Sequence, residues 1–445
     1  MNKDIFKAYD VRGIYPTEID EKAVSAIMKA YVALIKPKKM AIGRDVRLSG
    51  PKLLIAAKEA LIESGVEVTD IGVITTDMLF FTVAHYDFDG GIAITASHNP
   101  AEYNGLKMVR KKARPISMDS GLADIRGLAV KNDLPGLNEL GSSEEIDILD
   151  DYIKKLLSFV NKGVITKKKI VVNPNFGAAG KVVERLANEL GLELIRINFE
   201  ENGNFPKGRP DPMQEGNRKE TTELIKKTGA DFGVAWDADA DRCFFFDETG
   251  AFVDCYYEIA LLSQIMLDQY PGGKIVHDPR LIWGIQDVIN ENGGRSLINK
   301  AGNVFIKERM KKEDAIFGGE TSGHFFFKDF YYCDNGMIPF LLMLQKLCES
   351  GKKLSELVKP LRQKYPMARE RNFTVKKAEE KIAEIKEKYS DAMIGELDGL
   401  SVTYADWRFN LRTSNTEPLL RLNLEAKTKN LVSEKVEELT KIIEA

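Results

Sequence analysis

The sequence predicts an α/β protein of several domains, with three similar units of mixed or parallel sheet followed by a smaller α+β domain. Three observations lead to this prediction. The chain has 445 residues, which is too long for one hydrophobic core. Apolar, β-branched strands alternate with amphipathic helices three times. The last part of the chain replaces this pattern with a charged helix and alternating strands. We therefore expect domains at residues 1–150, 151–250, 251–366 and 367–445.

Each of the three similar units contains a strand, a helix, a second strand, and a third strand that runs into a polar loop. In the first unit these segments read KKMAIGRDVR, PKLLIAAKEALIESG, VEVTDIGV and GGIAITASHNP. In the other two units the third strand and its loop read ADFGVAWDADADR and DAIFGGETSGH. Ligands of open parallel sheets bind beyond the carboxyl ends of the strands. The three polar loops are therefore expected to meet in one cleft.

The fourth domain is expected to follow a hinge near residues 365–371. KKAEEKIAEIKEKYS is a charged helix with an apolar stripe, and NLVSEKVEELTKIIEA is a closing helix. The strand between them alternates in polarity. Its apolar residues are Leu420, Leu422 and Leu424. The polar residues between and after them are Arg421, Asn423 and Glu425. This alternation predicts a sheet that is solvated on one face.

The composition excludes several classes of protein. The formal net charge is −3, so the chain has no bulk attraction to nucleic acid or to an anionic membrane. The four cysteines lack CxxC spacing, which favours reduced packing thiols over a disulfide framework or a zinc site. The first residues, MNKDIFKAYD, do not form a secretory signal, and no apolar run approaches the ~20 residues of a membrane span. We therefore expect a cytoplasmic protein.

The first chemical signal is the alternation of three aspartates, Asp237, Asp239 and Asp241, directly after the apolar strand FGVAW. Three carboxylates so close together need a cation, and oxygen ligands imply Mg²⁺ or Ca²⁺. An EF-hand is excluded, because Arg242 stands where its tight turn needs glycine and both flanks are strand-like. A phosphatase of the haloacid-dehalogenase type, with Asp237 as nucleophile, stays open as an alternative, as does a solvated acidic turn.

The second signal is the segment TASHNP, which ends the strand GGIAI. Ser97 needs activation before it can attack a substrate. Adjacent side chains on extended backbone diverge, so we do not expect a hydrolase dyad of Ser97 and His98. A phosphoryl group on Ser97 would explain a nearby hard cation, which neutralises phosphate oxygens. On residue types alone, an ordinary turn serine fits as well.

Two further polar loops could bind a ligand. GGETSGH offers close backbone approach through its glycines, together with donors and acceptors suited to sugar hydroxyls. RTSNTEP places an arginine beside four short polar side chains, which is a donor set suited to phosphate. The alternatives are an ordinary polar loop for the first segment and a turn between two strands for the second.

Together, the four loops resemble those of the α-D-phosphohexomutase superfamily, and the resemblance covers essentially the whole chain. It includes FKAYDVRG, ITASHNPAEYNGLK, DADADR, GGETSGH and RTSNTEP. The FKAYD start and GETSGH are most similar to the phosphomannomutase/phosphoglucomutase branch, with phosphoglucosamine mutase as the alternative. The resemblance implies three α/β domains plus a fourth that is similar to the TATA-box-binding fold. It also implies interconversion of hexose 6-phosphate and hexose 1-phosphate, through a phosphoserine and a sugar 1,6-bisphosphate, by a monomer or dimer.

The resemblance also implies roles for individual residues. Ser97 would be the phosphoserine and would complete the site of one Mg²⁺ with the three aspartates. Arg12 and Lys107 would flank the transferring phosphoryl group and help to move protons, and Arg242 would orient the site. The residues implied in substrate binding are Tyr9, Arg280, Glu320, Ser322, His324, Arg412, Ser414, Asn415, Thr416 and Arg421.

Two departures from the family pattern bear on the site. Ala238 and Ala240 occupy positions where many relatives have glycine, and alanine resists positive φ by about 1 kcal/mol or more. We therefore expect both alanines to keep negative φ. Asn303 stands where this branch usually has a histidine, and an amide cannot titrate. Its proton-transfer role would fall to Lys107, His324, water or nothing.

Overall fold

The computed structural model describes residues 1–131, 140–413 and 419–445. Within these residues, no helix is both long and apolar enough to cross a membrane. The chain divides into two compact units. Unit 1 contains Met1–Phe252 and Asp329–Gly351, and unit 2 contains Val253–Lys328 and Lys352–Ala445. The segment Asp329–Gly351, which the sequence analysis placed in the third domain, therefore packs within unit 1. The expected hinge at 365–371 lies inside unit 2.

The first sheet of unit 1 is mixed, and its order is β1-β5-β4-β2-β3-β7, with β6 paired to β5. Its strands are β1 (Val11–Ile14), β2 (Lys39–Arg44), β3 (Glu67–Val73), β4 (Gly90–Ile94), β5 (Tyr103–Arg110), β6 (Arg114–Pro115) and β7 (Ser143–Glu145). Its helices are α1 (Glu21–Ile35), α2 (Gly50–Glu63), α3 (Thr76–His85) and α4 (Leu122–Lys131). Strand β2 pairs in parallel with β3 and β4, whereas β5 is antiparallel to β4.

The second sheet has the order β11-β10-β8-β9. Its elements are α5 (Leu149–Leu157), β8 (Lys169–Asn173), α6 (Ala179–Leu190), β9 (Glu193–Arg196), α7 (Lys219–Thr228), β10 (Phe232–Trp236) and β11 (Cys243–Phe246). Strand β8 is parallel to β9 and β10, and β11 is antiparallel to β10. This pairing repeats that of β2, β3, β4 and β5 in the first sheet.

Unit 2 contains a third sheet of the same pattern. Its elements are α8 (Cys255–Gln269), β12 (Lys274–His277), α9 (Trp283–Glu291), β13 (Arg295–Ile298), α10 (Asn303–Glu313), β14 (Phe317–Gly319) and β15 (Phe325–Phe327). Strand β12 is parallel to β13 and β14, and β15 is antiparallel to β14. The chain then passes into unit 1, where it forms β16 (Cys333–Asp334) and α11 (Met337–Ser350). The next helix, α12 (Leu354–Lys364), belongs to unit 2 again.

The repeated pairing places the three polar loops at equivalent positions. Each loop joins the third strand of the repeated strand–helix pattern to an antiparallel neighbour: β4 to β5, β10 to β11, and β14 to β15. All residues of β4, β10 and β14 are buried, as expected for central strands covered on both faces. Rigid strands therefore hold both ends of each loop, which allows a small number of polar side chains to be positioned accurately.

The fourth sheet is antiparallel, with the order β17-β21-β20-β19-β18. Its elements are β17 (Met367–Thr374), α13 (Ala378–Lys388), β18 (Met393–Gly395), β19 (Leu400–Thr403), β20 (Trp407–Thr413), β21 (Leu419–Ala426) and α14 (Lys429–Glu444). The predicted fold class, three mixed α/β sheets and a C-terminal α+β part, is confirmed.

One expectation about the fourth sheet is wrong. Leu420, Leu422 and Leu424 are buried as expected, but so are Asn423 and Glu425 on the opposite face. The physical reason is a second packing partner within unit 2. Glu425 lies against the start of α9, where it accepts hydrogen bonds from the backbone N–H groups of Ile282 and Trp283.

Candidate active site

Ser97 lies in the loop from β4 to β5, which we call the serine loop (Thr95–Pro100). Its side chain is buried, and Oγ donates a hydrogen bond to Asp237 Oδ2 at 2.8 Å. The two residues are 140 positions apart in the chain. The backbone of Ser97 has φ of +48°, in the left-handed region. The amide N–H of Ser97 donates to Thr95 Oγ1 at 2.9 Å, which closes this turn locally.

The expectation that Ser97 and His98 diverge is wrong, because it assumed extended backbone. In the left-handed turn, His98 Nδ1 lies 3.1 Å from Ser97 Oγ. Burial and the charges of Arg242 and Arg12 lower the pKa of His98 well below its usual value. The imidazole is therefore neutral at neutral pH, and Ser97 Oγ has both a carboxylate and an uncharged ring nitrogen as neighbours.

The three aspartates of the second loop converge as expected. Asp237, Asp239 and Asp241 are buried, and one carboxylate oxygen of each lies within 4.8 Å of the others. Ala238 keeps the expected negative φ, but the expectation is wrong for Ala240, which has φ of +56°. The loop bends back at this residue, because the N–H of Ala240 donates to the carbonyl of Asp237 at 3.1 Å. This bend accompanies the convergence of the three side chains.

Charge balance within the cluster depends on Lys107, from β5. Its Nζ lies 2.7 Å from Asp239 Oδ2 and also contacts Asp241 Oδ2. Burial lowers the pKa of Lys107, but Asp239 and Asp241 outweigh burial and raise it. Burial and the two neighbouring carboxylates raise the pKa of Asp237 well above its usual value. Burial and repulsion between the carboxylates thus disfavour the ionised form of Asp237, and a cation bound at this cluster would favour that form.

The residues present fit a hard divalent cation. Every candidate ligand, including Ser97 Oγ, offers oxygen, which Mg²⁺ and Ca²⁺ prefer. Asp239 Oδ1 is buried and has no hydrogen-bond partner among the described residues. A buried carboxylate oxygen without a partner is unfavourable unless it binds a ligand. Asp239 Oδ2 is well fixed by Thr76 Oγ1, which donates to it at 2.6 Å.

Two arginines expected at this site lie beside the serine and aspartate loops, with 19% and 13% of their side chains exposed. Arg12 Nε donates to Asp10 Oδ2 at 2.8 Å, and Arg12 Nη1 donates to Asn99 Oδ1 at 2.7 Å. Arg242 Nε lies 3.7 Å from Asp237 Oδ2. For both arginines the neighbouring carboxylates outweigh the effect of burial and raise the pKa. Tyr9, another expected residue, is half-buried before β1.

Sequence reasoning missed Arg47 and Asp45, which follow β2 and are both buried. Arg47 Nη2 donates to the carbonyls of Ser97 and Asn99, at 2.7 Å in each case. A signal is present in the sequence, because Asp45 and Arg47 in GRDVR come just after an apolar strand, as the polar residues of the other loops do.

Within unit 2, the GGETSGH loop joins β14 to β15 and brings three expected residues together. Glu320 Oε2 lies 3.1 Å from His324 Nδ1, and Ser322 Oγ lies 3.2 Å from the same nitrogen. Glu320 Oε1 accepts a hydrogen bond from the N–H of Gly302. Asn303 begins α10 beside this contact, and its side-chain Oδ1 is buried without a hydrogen-bond partner among the described residues.

The expected residue Arg280 belongs to the same unit and is fixed by Asp278. Its Nε and Nη2 approach the two carboxylate oxygens at 3.0 and 2.8 Å. Asp278 also accepts from the backbone N–H of Thr321 at 2.7 Å, which ties the arginine to the GGETSGH loop. Burial raises the pKa of Asp278, but Arg280 outweighs burial and lowers it to about 2.

Two expected phosphate-binding arginines lie on the fourth sheet. Arg421 Nη1 is 3.4 Å from Glu370 Oε1. Arg412 is mostly buried, and burial together with the charge of Arg280 lowers its pKa. Its Nε has no hydrogen-bond partner among the described residues. Arg421 is paired with one carboxylate, so the two arginines together keep a positive charge that is suited to an anion. The other three residues expected there, Ser414, Asn415 and Thr416, lie outside the described residues.

Comparisons with known proteins agree with this architecture. Four descriptions of phosphoglucomutase/phosphomannomutase domains match the chain: alpha/beta/alpha domain I at residues 3–133, domain II at 150–250, domain III at 255–365, and the C-terminal domain at 370–442. A phosphomannomutase of Escherichia coli (strain K12) is 45% identical over 431 residues, which are 95% of this chain and 94% of the relative.

Two further comparisons cover nearly the whole chain. A protein of Xanthomonas campestris pv. campestris (strain B100), named phosphohexose mutases, is 43% identical over 429 residues and 96% of each chain. The crystal structure of a phosphoglucomutase/phosphomannomutase family protein from Burkholderia thailandensis superimposes with a TM-score of 0.89. It is 29% identical, over 99% of this chain and 97% of that one. The chain belongs to the phosphoglucomutase/phosphomannomutase family, within the α-D-phosphohexomutase superfamily.

Proposed function

We propose that this chain is a phosphohexomutase, which interconverts hexose 6-phosphate and hexose 1-phosphate through a phosphorylated Ser97. One observation carries the proposal: Ser97 Oγ lies 2.8 Å from Asp237 Oδ2, in a cluster of three buried aspartates. A phosphoserine beside a hard cation site is suited to phosphoryl transfer. The relative named phosphomannomutase and the phosphoglucomutase/phosphomannomutase domain descriptions support mannose and glucose phosphates as substrates.

The reaction proceeds in two transfers. In the first, the bond between phosphorus and Ser97 Oγ breaks, a bond forms to a free sugar hydroxyl, and that hydroxyl loses its proton while Ser97 Oγ gains one. The resulting sugar 1,6-bisphosphate turns around. In the second transfer, its other phosphoryl group passes to Ser97 Oγ, and the proton movements are reversed. The net change is an isomerisation, and Ser97 ends as it began.

The residues of the two loops have distinct tasks in this proposal. Asp237, Asp239 and Asp241 hold one Mg²⁺, which, when bound, supplies charge neutralisation at the phosphoryl oxygens and at Ser97 Oγ. Arg12 and Lys107 provide fixed positive charge beside the transferring group. Such preorganised charges contribute most where water is excluded, and every one of these side chains is at least four-fifths buried.

In unit 2, Glu320, Ser322 and His324 contact sugar hydroxyls in this proposal, and Arg280, Arg412 and Arg421 bind the phosphate that does not react. A single phosphate site that accepts either end of the sugar explains how one enzyme treats the 1- and 6-phosphates alike. We propose a cytoplasmic location for the enzyme, in accordance with its four free cysteines, three of them buried.

The proposal is tested by incubating the protein with Mg²⁺, glucose 1-phosphate and a trace of glucose 1,6-bisphosphate. Phosphorus NMR should show glucose 6-phosphate, whereas release of inorganic phosphate alone would favour the phosphatase alternative, with Asp237 as nucleophile. Parallel assays with mannose 1-phosphate and glucosamine 1-phosphate measure sugar preference.

The covalent step needs its own test. Ser97→Ala should abolish turnover and remove the phosphoryl group from the intact-mass spectrum, while glucose 1-phosphate still binds in a calorimeter. The control is Ser143→Ala, at an exposed serine of β7, which should behave as wild type. Turnover by Ser97→Ala close to the wild-type rate would contradict the phosphoserine.

A further inference from the structure

The main-chain carbonyls of the serine loop are held by arginines. Five consecutive carbonyl oxygens, those of residues 96–100, each accept a hydrogen bond from a guanidinium group. Arg12 binds the first at 3.3 Å and Arg209 binds the third at 3.1 Å. Arg47 binds the other three, at 2.7, 2.7 and 2.5 Å, and also the carbonyl of Tyr103 at 2.9 Å.

Arg47 is unusual because none of its side chain is exposed to solvent. A buried guanidinium is unfavourable unless it is paired and hydrogen-bonded. Here Nε contacts Asp45 Oδ2 at 3.1 Å, and the same carboxylate oxygen accepts a hydrogen bond from Thr95 Oγ1 at 2.7 Å. Asp45 therefore holds the first residue of the serine loop, and Arg47 holds Ser97, Asn99 and Pro100.

This arrangement explains how Ser97 keeps φ of +48°. Left-handed backbone is unfavourable for a residue with a Cβ by roughly 1–2 kcal/mol. Such a conformation persists only when the surrounding structure determines it. The peptide planes on the two sides of Ser97 carry the carbonyls of Ala96 and Ser97, which Arg12 and Arg47 bind. Arg47 therefore fixes the plane that follows Ser97, and with it the direction in which Ser97 Oγ leaves the backbone.

Arg47 also connects the serine loop to the aspartate loop. Its guanidinium stacks on the ring of Phe205, at 5.0 Å. Phe205 and Val46 form a small apolar cluster with Ala178 and Ala238, and Ala238 lies between the first two aspartates. The segment that carries Phe205 also approaches the backbone beside Arg47 closely, because a Cβ added at Gly203 would lie 2.2 Å from the carbonyl oxygen of Val46.

We propose that Arg47 is a positioning residue for phosphoryl transfer, which holds the serine loop in register with the aspartate loop. The proposal rests on the function proposed above, and assigns to Arg47 no contact with the substrate. Its effect is on where Ser97 Oγ lies relative to the aspartates. Misplacement of a reacting group by about 1 Å can lower a rate by about 100-fold.

Lysine cannot replace arginine in this role. The carbonyls that Arg47 binds are spread along the loop, and the planar guanidinium reaches them with donors on separate nitrogens. A lysine ammonium keeps the charge but has one nitrogen at the end of a flexible chain. Arg47→Lys should therefore retain the pairing with Asp45 and lose most of the carbonyl contacts.

The test compares Arg47→Lys with wild type in three measurements. The first is kcat for glucose 1-phosphate with Mg²⁺. The second is the single-turnover rate at which glucose 1,6-bisphosphate phosphorylates dephosphorylated Ser97, followed by intact mass. Both should fall by about 100-fold. The third is the Kd for glucose 1-phosphate by calorimetry, which should stay close to wild type. A variant damaged throughout its structure would lose binding as well, so this separation distinguishes positioning from general support.

The matched control is Arg196→Lys. Arg196 also stacks on a phenylalanine, Phe199, at 5.3 Å, but it is exposed and bonded to Glu184 on the surface. It should keep wild-type rates. Where Arg47→Lys fails to fold, Phe205→Leu replaces it, because this change removes the stacking and leaves every hydrogen bond of Arg47 in place. It should lower kcat by less, with Kd again unchanged.

Two results would overturn the proposal. One is a kcat of Arg47→Lys, or of Phe205→Leu in its place, equal to that of wild type. The other is a loss of glucose 1-phosphate binding in proportion to the loss of kcat. Failure of the proposed function itself is separate, because it would appear as absence of isomerisation by the wild-type protein.

Discussion

Replacing Glu425 by glutamine should destabilise unit 2 far more than the loss of one hydrogen bond would. Glu425 is fully buried, and Oε1 accepts from Arg408 Nη1 at 2.9 Å and from the N–H of Ile282 at 2.7 Å. Arg408, itself buried, also donates to the carbonyls of Pro279 and Arg280, at 2.9 Å each. The pair therefore joins the fourth sheet to the segment that carries Arg280.

The magnitude follows from the charge that remains. In Glu425→Gln the guanidinium of Arg408 stays buried without its carboxylate, and breaking a buried ion pair in this way costs about 3–5 kcal/mol. The cost is larger than that of a neutral hydrogen bond, which is about 1 kcal/mol. A local loss of about 3 kcal/mol or more corresponds to amide exchange at least about 100-fold faster. Hydrogen exchange followed by mass spectrometry, on peptides that contain Ile282 and Trp283, measures this change.

The double variant tests the physical reason. Arg408→Met combined with Glu425→Gln leaves neither buried charge alone, so it should be less destabilised than the sum of the two single variants. The exposed pair Glu437–Lys441 on α14 is the control, and Glu437→Gln should change exchange little. Strict additivity of the two single changes, or a small effect of Glu425→Gln, would refute the reasoning.

Three further changes test other parts of the site. Gly177→Ala would put a Cβ 2.3 Å from the carbonyl oxygen of Ala238. The aspartate loop must then shift, and kcat should fall by about 10-fold or more. Gly216→Ala is the control, because a Cβ added there has no atom within 4 Å, and it should leave kcat unchanged. Arg280 lowers the pKa of Asp278 to about 2 despite burial. The contribution of this carboxylate to folding stability is therefore present above about pH 4 and is lost as pH falls towards 2. Acid unfolding of unit 2 should therefore be shallower for Asp278→Asn, and an identical acid limb would contradict this. EDTA should abolish turnover, excess Mg²⁺ should restore it, and activity that survives EDTA would contradict a metal requirement.

Much of the architecture follows from local patterns. Apolar runs such as FGVAW predict central strands, and the polar residues after them predict loops at one edge of each sheet, which the repeated strand order bears out. These features depend on periodicity and on the geometry of parallel sheets, and both can be read from the sequence. The meeting of Ser97 with Asp237 is implied by the family resemblance instead, because the two residues follow strands of different sheets.

Other features depend on contacts between distant segments, and periodicity does not contain them. The left-handed backbone at Ser97 accompanies hydrogen bonds from Arg47, which is 50 residues away. The buried polar face of β21 results from packing against the start of α9, so its alternation resembled that of a solvated sheet. Ala240 takes positive φ although alanine resists it, because the turn that gathers the aspartates outweighs that local preference.

The backbone at Ser97 has a consequence for the amino acid that can stand there. Threonine carries a hydroxyl that can be phosphorylated in the same way. Its Cβ is branched, however, and a branched residue with φ near +48° is a conformational outlier. The backbone conformation therefore favours serine over threonine, although the hydroxyl group of either residue can be phosphorylated. At this position the geometry of the polypeptide, as well as the reactivity of the side chain, determines which residue can accept phosphate.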